Sequence, residues 1–153
     1  MKWKFLSPAS LAAVAIVSVA AAANAGEVNT GYFGDVAIKG YDPVAYFTLG
    51  KPTQGLPEIE YEWDEHVWRF ASAEDRDLFK ADPVRYAPQF GNYCAMALAK
   101  GKIVVANPEN WLISDGKLYV FGDPAPRGPA LFRQDLAENI TKANENRPIL
   151  PER

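Results

Sequence analysis

The pattern of apolar residues predicts two β-hairpins. Apolar and polar residues alternate at residues 59–63 and 68–70, whereas residues 111–113 and 118–121 are two short apolar runs. Asp64, Glu65 and His66 separate the first pair and form its predicted turn. Residues 114–117 separate the second pair and contain an Asp-Gly step, which favours a tight hairpin turn. The apolar pattern therefore indicates two antiparallel sheets.

Helical spacing of apolar residues predicts several helices. Ser72 is expected to cap a helix with Asp75 close to a capping-box position, and Leu78 and Phe79 are its predicted buried side. Residues 93–100 form a second helix that contains Cys94 near its start. After residues 128–129 one long helix is expected up to residue 146. Its inward stripe comprises Leu131, Phe132, Leu136, Ile140 and Ala143.

The remaining segments complete an α+β prediction. Residues 36–38 are expected to form a short strand. Asp42, followed by Pro43, is expected to be the N-cap of a single helical turn that runs to Tyr46. The predicted fold is thus a small α+β domain with two β-hairpins, several short helices and a C-terminal covering helix.

The first 25 residues have the pattern of an export signal. Lys2 and Lys4 precede an apolar run at residues 11–23, and Ala23-Asn24-Ala25 is typical of a signal-peptidase site. A membrane anchor is the alternative, but the run is too short to cross about 30 Å of hydrocarbon. We therefore expect a signal peptide at residues 1–25, a flexible leader at 26–34 and a domain at 35–150. The predicted location is periplasmic or secreted, after cleavage near Ala25.

Charge and motif content exclude several functional classes. The formal net charge is −3, and it becomes more negative when Lys2 and Lys4 leave with the signal. A mildly acidic chain without a basic cluster does not favour nucleic-acid binding, and no membrane contact is expected once the signal is removed. Glycine-rich phosphate loops and serine-hydrolase or zinc-protease motifs do not occur, so no organic cofactor is indicated.

The single cysteine is the main candidate for chemistry. Cys94 cannot form an internal disulfide, so it is an inert core residue, an intermolecular partner or a reactive group. A thiol at a helix start lies near the positive end of the helix dipole, which favours the thiolate. A thiolate could act as a nucleophile, a redox group or a soft ligand for copper. The only histidine, His66, is expected in solvent, and one His with one Cys cannot complete a tetrahedral zinc site.

Several segments in order carry a resemblance to a known family. They are the Gly-Tyr-Asp-Pro-Val-Ala-Tyr-Phe run at residues 40–47, the Trp-Arg-Phe-Ala-Ser run at 68–72, the segment at 82–88 and Gly-Asn-Tyr-Cys-Ala at 91–95. With these segments the chain resembles exported bacterial YHS-domain proteins, a family that includes selenocysteine-containing members. The resemblance implies a small α+β module with metal binding and places Cys94 at the selenocysteine position. Metal-associated members typically carry several cysteines, whereas this chain has one.

These observations lead to two functional hypotheses. In the first, Cys94 is the catalytic residue of a small binding or redox site, or the ligand of a copper or other soft metal ion, and Tyr41, Asp42 and Tyr93 line its pocket. The partner is then a small ligand or a metal ion. In the second, the chain is a noncatalytic accessory or interaction module in which Cys94 is a buried core residue. Exposed aromatic rings around Tyr41 and Tyr46 would then contact a protein partner.

Overall fold

The computed structural model describes residues 36–151 and confirms the α+β prediction. Ten elements follow one another along the chain: α1 (Ala45–Thr48), β1 (Leu56–Trp63), β2 (His66–Phe70), α2 (Ala73–Ala81), α3 (Pro83–Tyr86), α4 (Ala95–Ala99), β3 (Asn107–Ser114), β4 (Lys117–Phe121), α5 (Arg127–Gln134) and α6 (Leu136–Glu145). Short 3₁₀ turns at Ala37–Gly40 and Arg147–Ile149 flank them. The predicted signal peptide and leader lie outside the described residues.

Both predicted hairpins are present as two-stranded antiparallel sheets. In the first, Tyr61 of β1 pairs with Trp68 of β2, and Asp64 and Glu65 form the turn with positive φ. His66 is the first residue of β2, not part of the turn. In the second, Asp115 and Gly116 both have positive φ, as a tight turn with the twist of the flanking strands requires. Alternation in the first hairpin, and the Asp-Gly turn between apolar runs in the second, were sufficient to predict both sheets.

The core consists of two clusters of buried side chains. The first surrounds Phe79 of α2, whose ring packs against Trp63, Trp68 and Phe70 of the first sheet. The second lies between α4, the second sheet and the C-terminal helices, and it includes Cys94 together with Phe90, Leu98, Tyr119, Phe121 and Phe132. The second sheet contributes to both clusters, with Leu118 in the first and Tyr119 and Phe121 in the second. Each cluster is rich in aromatic rings.

The predicted Ser72 cap of α2 is confirmed, but the buried face of this helix is narrower than expected. Ser72 Oγ accepts a hydrogen bond from the Asp75 backbone N–H at 3.1 Å. Phe79 is fully buried, whereas Leu78 is 42% exposed, so the prediction that both lie inside is wrong for Leu78. Adjacent residues on a helix point about 100° apart. The short α2 accordingly turns Phe79 inward and Leu78 outward.

The predicted single C-terminal helix is two helices. The chain leaves helical geometry at Asp135, with φ −131° and ψ 56°, between α5 and α6. The Asn139 side-chain amide donates to the carbonyl oxygens of Leu131 at 3.4 Å and Phe132 at 3.2 Å. These carbonyls lie at the end of α5, where helical partners are lost. Phe132 and Ala143 of the predicted stripe are fully buried.

The predicted strand at residues 36–38 does not form. Val36 makes one parallel bridge to Val67, and the chain then enters the 3₁₀ turn. Ile38, Lys39 and Gly40 have φ values of 40°, 55° and 80°. A β-branched residue rarely adopts this left-handed region, so the local preference of Ile38 for a strand is overridden by tertiary contacts. Among residues 36–151, no helix combines the length and the apolar character needed to cross a membrane.

Candidate functional site

Cys94 lies immediately before α4 and is its N-cap residue. Its backbone is extended, and its Sγ accepts a hydrogen bond from the Ala97 N–H at 3.4 Å. The Cys94 backbone N–H donates to the Val104 carbonyl oxygen at 2.8 Å. The predicted helix start was therefore close, although the helix begins one residue after the cysteine. Both backbone and side chain of Cys94 have a structural partner.

The surroundings of the Cys94 thiol are apolar. The residue is 7% exposed and packs within the second core cluster. The chain at Gly122 passes so close that a Cβ placed there would be 3.7 Å from Cys94 Cβ and 3.0 Å from Val104 Cγ1. Val104 is itself 42% exposed. The thiol thus lies just beneath the surface, next to the segment that carries Val104.

Asp42 is the most completely buried of the predicted site residues. Its Oδ1 accepts hydrogen bonds from the N–H groups of Val44 at 2.8 Å and Ala45 at 3.2 Å. The predicted contact with the helix start is present, but α1 begins at Ala45 with Val44 as its N-cap and ends at Thr48, so the predicted N-cap position of Asp42 and the predicted end at Tyr46 are wrong.

The second carboxylate oxygen of Asp42, Oδ2, accepts a hydrogen bond from the Ala71 N–H at 2.8 Å, directly after β2. Burial raises the pKa of Asp42 to about 6; the N–H donors oppose this increase, and the neighbouring Asp75 carboxyl adds to it.

The two tyrosines near Asp42 have different surroundings. Tyr41 is half-buried, and its hydroxyl donates to Glu109 Oε1 at 3.0 Å. Burial is the main cause of its raised pKa. Tyr46 is 1% exposed, and its hydroxyl donates to the Pro108 carbonyl oxygen at 2.8 Å. The expectation that Tyr46 contacts a protein partner is wrong, because its ring belongs to the core.

The predicted site residues are divided between the two core clusters. Tyr41 packs against the first cluster, whereas Cys94 belongs to the second. Tyr93 is half-buried next to Cys94, and its backbone bridges to Val105. Arg69, a conceivable cationic neighbour for the thiolate, instead binds Glu60 Oε1 through Nε at 2.8 Å. The Arg69 guanidinium is thus engaged by a carboxylate of the first sheet.

Asn92 connects the segment that leads into Cys94 with the N-terminal turn and with the chain before β3. The sequence pattern did not single out this residue. Its Oδ1 accepts the Ile38 N–H at 2.6 Å, and its backbone carbonyl accepts the Ala106 N–H at 2.8 Å. This side chain holds the left-handed turn at Ile38–Gly40 against the chain that leads into Cys94. The available signal was Asn92 after Gly91, which indicates a turn but not a contact with residue 38.

His66 is less accessible than expected. It is half-buried, and its Nδ1 is a buried atom without a hydrogen-bond partner in the described part of the chain. It lines an open cleft of about 330 Å³ at the tip of the first hairpin, together with Glu62, Trp63, Asp64, Glu65 and Val67. Within residues 36–151, no three His, Cys, Asp or Glu side chains are grouped as metal ligands.

Comparisons with protein-family models, curated proteins and solved structures find no match to this chain. Inferences about function therefore depend on the surroundings of Cys94 and on the hydrogen bonds of Asp42 and Asn92.

Proposed function

We propose that the chain is an exported, noncatalytic accessory module of the YHS type, in which Cys94 is a structural residue. The observation that supports this proposal is that the Cys94 thiol both packs in the core and caps a helix. It fills an apolar site at 7% exposure, and its Sγ accepts a backbone N–H at the start of α4. A cysteine in such a site behaves as a small apolar side chain with a weak acceptor.

The neighbours of the thiol also favour a noncatalytic role. A nucleophilic cysteine is normally activated by an adjacent base or cation. The Arg69 guanidinium is occupied by Glu60. His66 is the first residue of β2 in the first sheet, whereas Cys94 packs in the cluster that includes residues of the second sheet. Contacts of Cys94 are instead made by the rings and methyl groups of the second core cluster. The module would then act through its surface.

The first experiment compares thiol accessibility in the folded and unfolded protein. We expect Cys94 to react with a colourless aromatic disulfide at least about a hundredfold more slowly in buffer than in 6 M guanidinium chloride, because burial limits access. The wild type is its own control, since the same thiol is measured in both states. Equal rates in both states would contradict a structural role.

Two substitutions separate the packing and capping contributions of Cys94. Cys94→Ala keeps an apolar side chain but removes the acceptor for Ala97 N–H, and Cys94→Ser keeps an acceptor but buries a hydroxyl. We expect each to lower the free energy of unfolding by about 1–2 kcal/mol. Uptake of copper(I) per chain should be the same for wild type and both variants. Loss of bound copper in either variant would identify Cys94 as a ligand instead.

A redox function for Cys94 is the second candidate. The specific observation is the Ala97 N–H that points to Sγ, since a thiolate accepts such a bond more strongly than a thiol. The thiolate would attack one oxygen of hydrogen peroxide and break the O–O bond, so that sulfur is oxidised to a sulfenic acid and the other oxygen leaves as hydroxide, which takes a proton from solvent to become water. A dimedone adduct that forms on the folded wild type within minutes of peroxide addition, and not on Cys94→Ser, would favour this candidate.

A further inference from the structure

The chain that follows α6 contacts both α4 and the loop before α4. The Asn146 side-chain amide donates a hydrogen bond to the Leu98 carbonyl oxygen in α4 at 2.9 Å. The Arg147 guanidinium donates through Nη2 to the Gln89 carbonyl oxygen at 2.9 Å, in the loop that leads into Cys94. These two side chains therefore tie together the segments that precede and follow Cys94.

The same segment covers part of the second core cluster. The Arg147 guanidinium carbon lies 5.2 Å from the centroid of the Phe90 ring, a distance at which a cation and an aromatic face attract each other. Phe90 is 3% exposed, whereas Arg147 is an exposed residue. Leu150 is half-buried and packs against the same cluster. Arg147 and Leu150 thus lie over apolar side chains of the core.

The backbone of this segment makes only local hydrogen bonds within the part of the chain that the structure describes. The N–H groups of residues 146, 149 and 150 bond to carbonyl oxygens no more than four positions earlier. Residues 147–149 are exposed. A segment with few buried contacts and exposed hydrogen bonds opens at a lower free energy than a buried strand. By contrast, β4 is paired with β3, and four of its five residues are buried.

We propose that residues 146–150 form a releasable strap over the second core cluster. In the closed state, Asn146 and Arg147 hold α4 and the loop before it against the end of α6. In the open state both contacts are broken while the two sheets stay intact, and the Phe90 ring becomes accessible to solvent. The strap thereby controls access to this cluster without global unfolding. This holds whether Cys94 is structural or redox-active.

Two substitutions in the full chain test whether the segment opens as one unit. Arg147→Ala removes the bond to Gln89 and the contact with Phe90. Arg133→Ala removes the same charge from an exposed position of α5. In amide hydrogen exchange, Arg147→Ala should lower the protection factor of the Gly101 N–H, which bonds to the Leu98 carbonyl oxygen under Asn146, by about tenfold. Arg133→Ala should change it by less than about threefold. Equal effects of the two substitutions on Gly101 would overturn the proposal.

A second measurement needs only the wild type and remains decisive if Arg147→Ala does not fold. The Tyr93 N–H donates to the Phe90 carbonyl oxygen, so Tyr93 and Gly101 report on the two segments under the strap. From 0 to about 1 M urea, their protection factors should be at least about tenfold lower than those of the β4 amides and independent of urea, because local opening exposes little surface. If either amide matches β4 in protection and in urea dependence, it exchanges only by global unfolding and the strap is refuted.

Discussion

Replacement of Asn92 by alanine removes the contact that holds the strained N-terminal turn. Asn92 Oδ1 accepts the Ile38 N–H at 2.6 Å, across 54 positions of sequence. Ile38 is 2% exposed, so water cannot readily replace the lost acceptor. The residue also has φ 40° and ψ 44°, a conformation that costs a β-branched side chain energy. Asn92→Ala should therefore destabilise the turn at Ile38, although the two residues are far apart in the sequence.

The expected loss of stability follows from the Ile38 N–H, which Asn92→Ala leaves without an acceptor. A buried backbone N–H without a partner costs about 1–3 kcal/mol. Release of the left-handed conformation could return about 1 kcal/mol if the turn relaxes. We expect a net loss of about 2 kcal/mol in the free energy of unfolding, which corresponds to roughly 10 °C in Tm for a domain of this size.

The assay is urea unfolding followed by tryptophan fluorescence, with amide hydrogen exchange at Ile38 as the local measurement. Asn107→Ala is the matched control, because both hydrogen bonds of the Asn107 side chain are exposed: its Oδ1 accepts the Glu109 N–H at 3.0 Å, and its Nδ2 donates to Asp123 Oδ1 at 2.8 Å. The control should cost less than about 1 kcal/mol, since water replaces these bonds. If Asn92→Ala changes stability by no more than the control and Ile38 stays protected from exchange, the role assigned to Asn92 is refuted.

Glycine and surface-charge substitutions test other parts of the fold. Gly55→Ala should cost about 2–3 kcal/mol in urea unfolding, because its Cβ would be 2.6 Å from the Arg69 carbonyl oxygen. A Cβ at Gly91 would meet no atom within 4 Å, and the residue has φ +58°, so Gly91→Ala should lower the free energy of unfolding by only about 1 kcal/mol. A larger loss for Gly91→Ala than for Gly55→Ala would contradict this geometry. Glu138→Gln removes an exposed pair with Lys142 that lowers the Glu138 carboxyl pKa, and it should leave the thermal midpoint unchanged at pH 7.

Local patterns predicted the parts of the fold that local interactions determine. The alternation at Tyr61 and Trp68 and the Asp115-Gly116 turn depend on residues close in sequence, and both hairpins formed as expected. The Ser72 cap is likewise a contact across three positions. The break at Asp135 was missed because apolar spacing continues through it without a glycine or proline. Nothing in the local pattern indicates that Asn139 caps the carbonyls of the preceding helix.

Long-range contacts explain the remaining differences. Val36 and Ile38 have strand preferences, but the hydrogen bond that the Ile38 N–H donates to distant Asn92 and the bridge from Val36 to Val67 hold a turn there. The candidate site was predicted from residue types alone, which cannot show that Tyr41 and Cys94 lie in different core clusters. The position of Cys94 at a helix start was nearly correct, whereas its burial depends on the close passage of Gly122.

Side-chain-to-backbone hydrogen bonds join residues 40–47 with residues 68–72, and residues 91–95 with the turn that precedes residue 40. Asp42 binds the N–H of Ala71, and Asn92 binds the N–H of Ile38. These residues have a structural explanation that requires no bound ligand. Cys94 can be explained in the same way. A serine would cap α4 at least as well, but its hydroxyl would be more costly to bury in an apolar cluster than a thiol. A site that needs both a cap and an apolar side chain therefore favours cysteine.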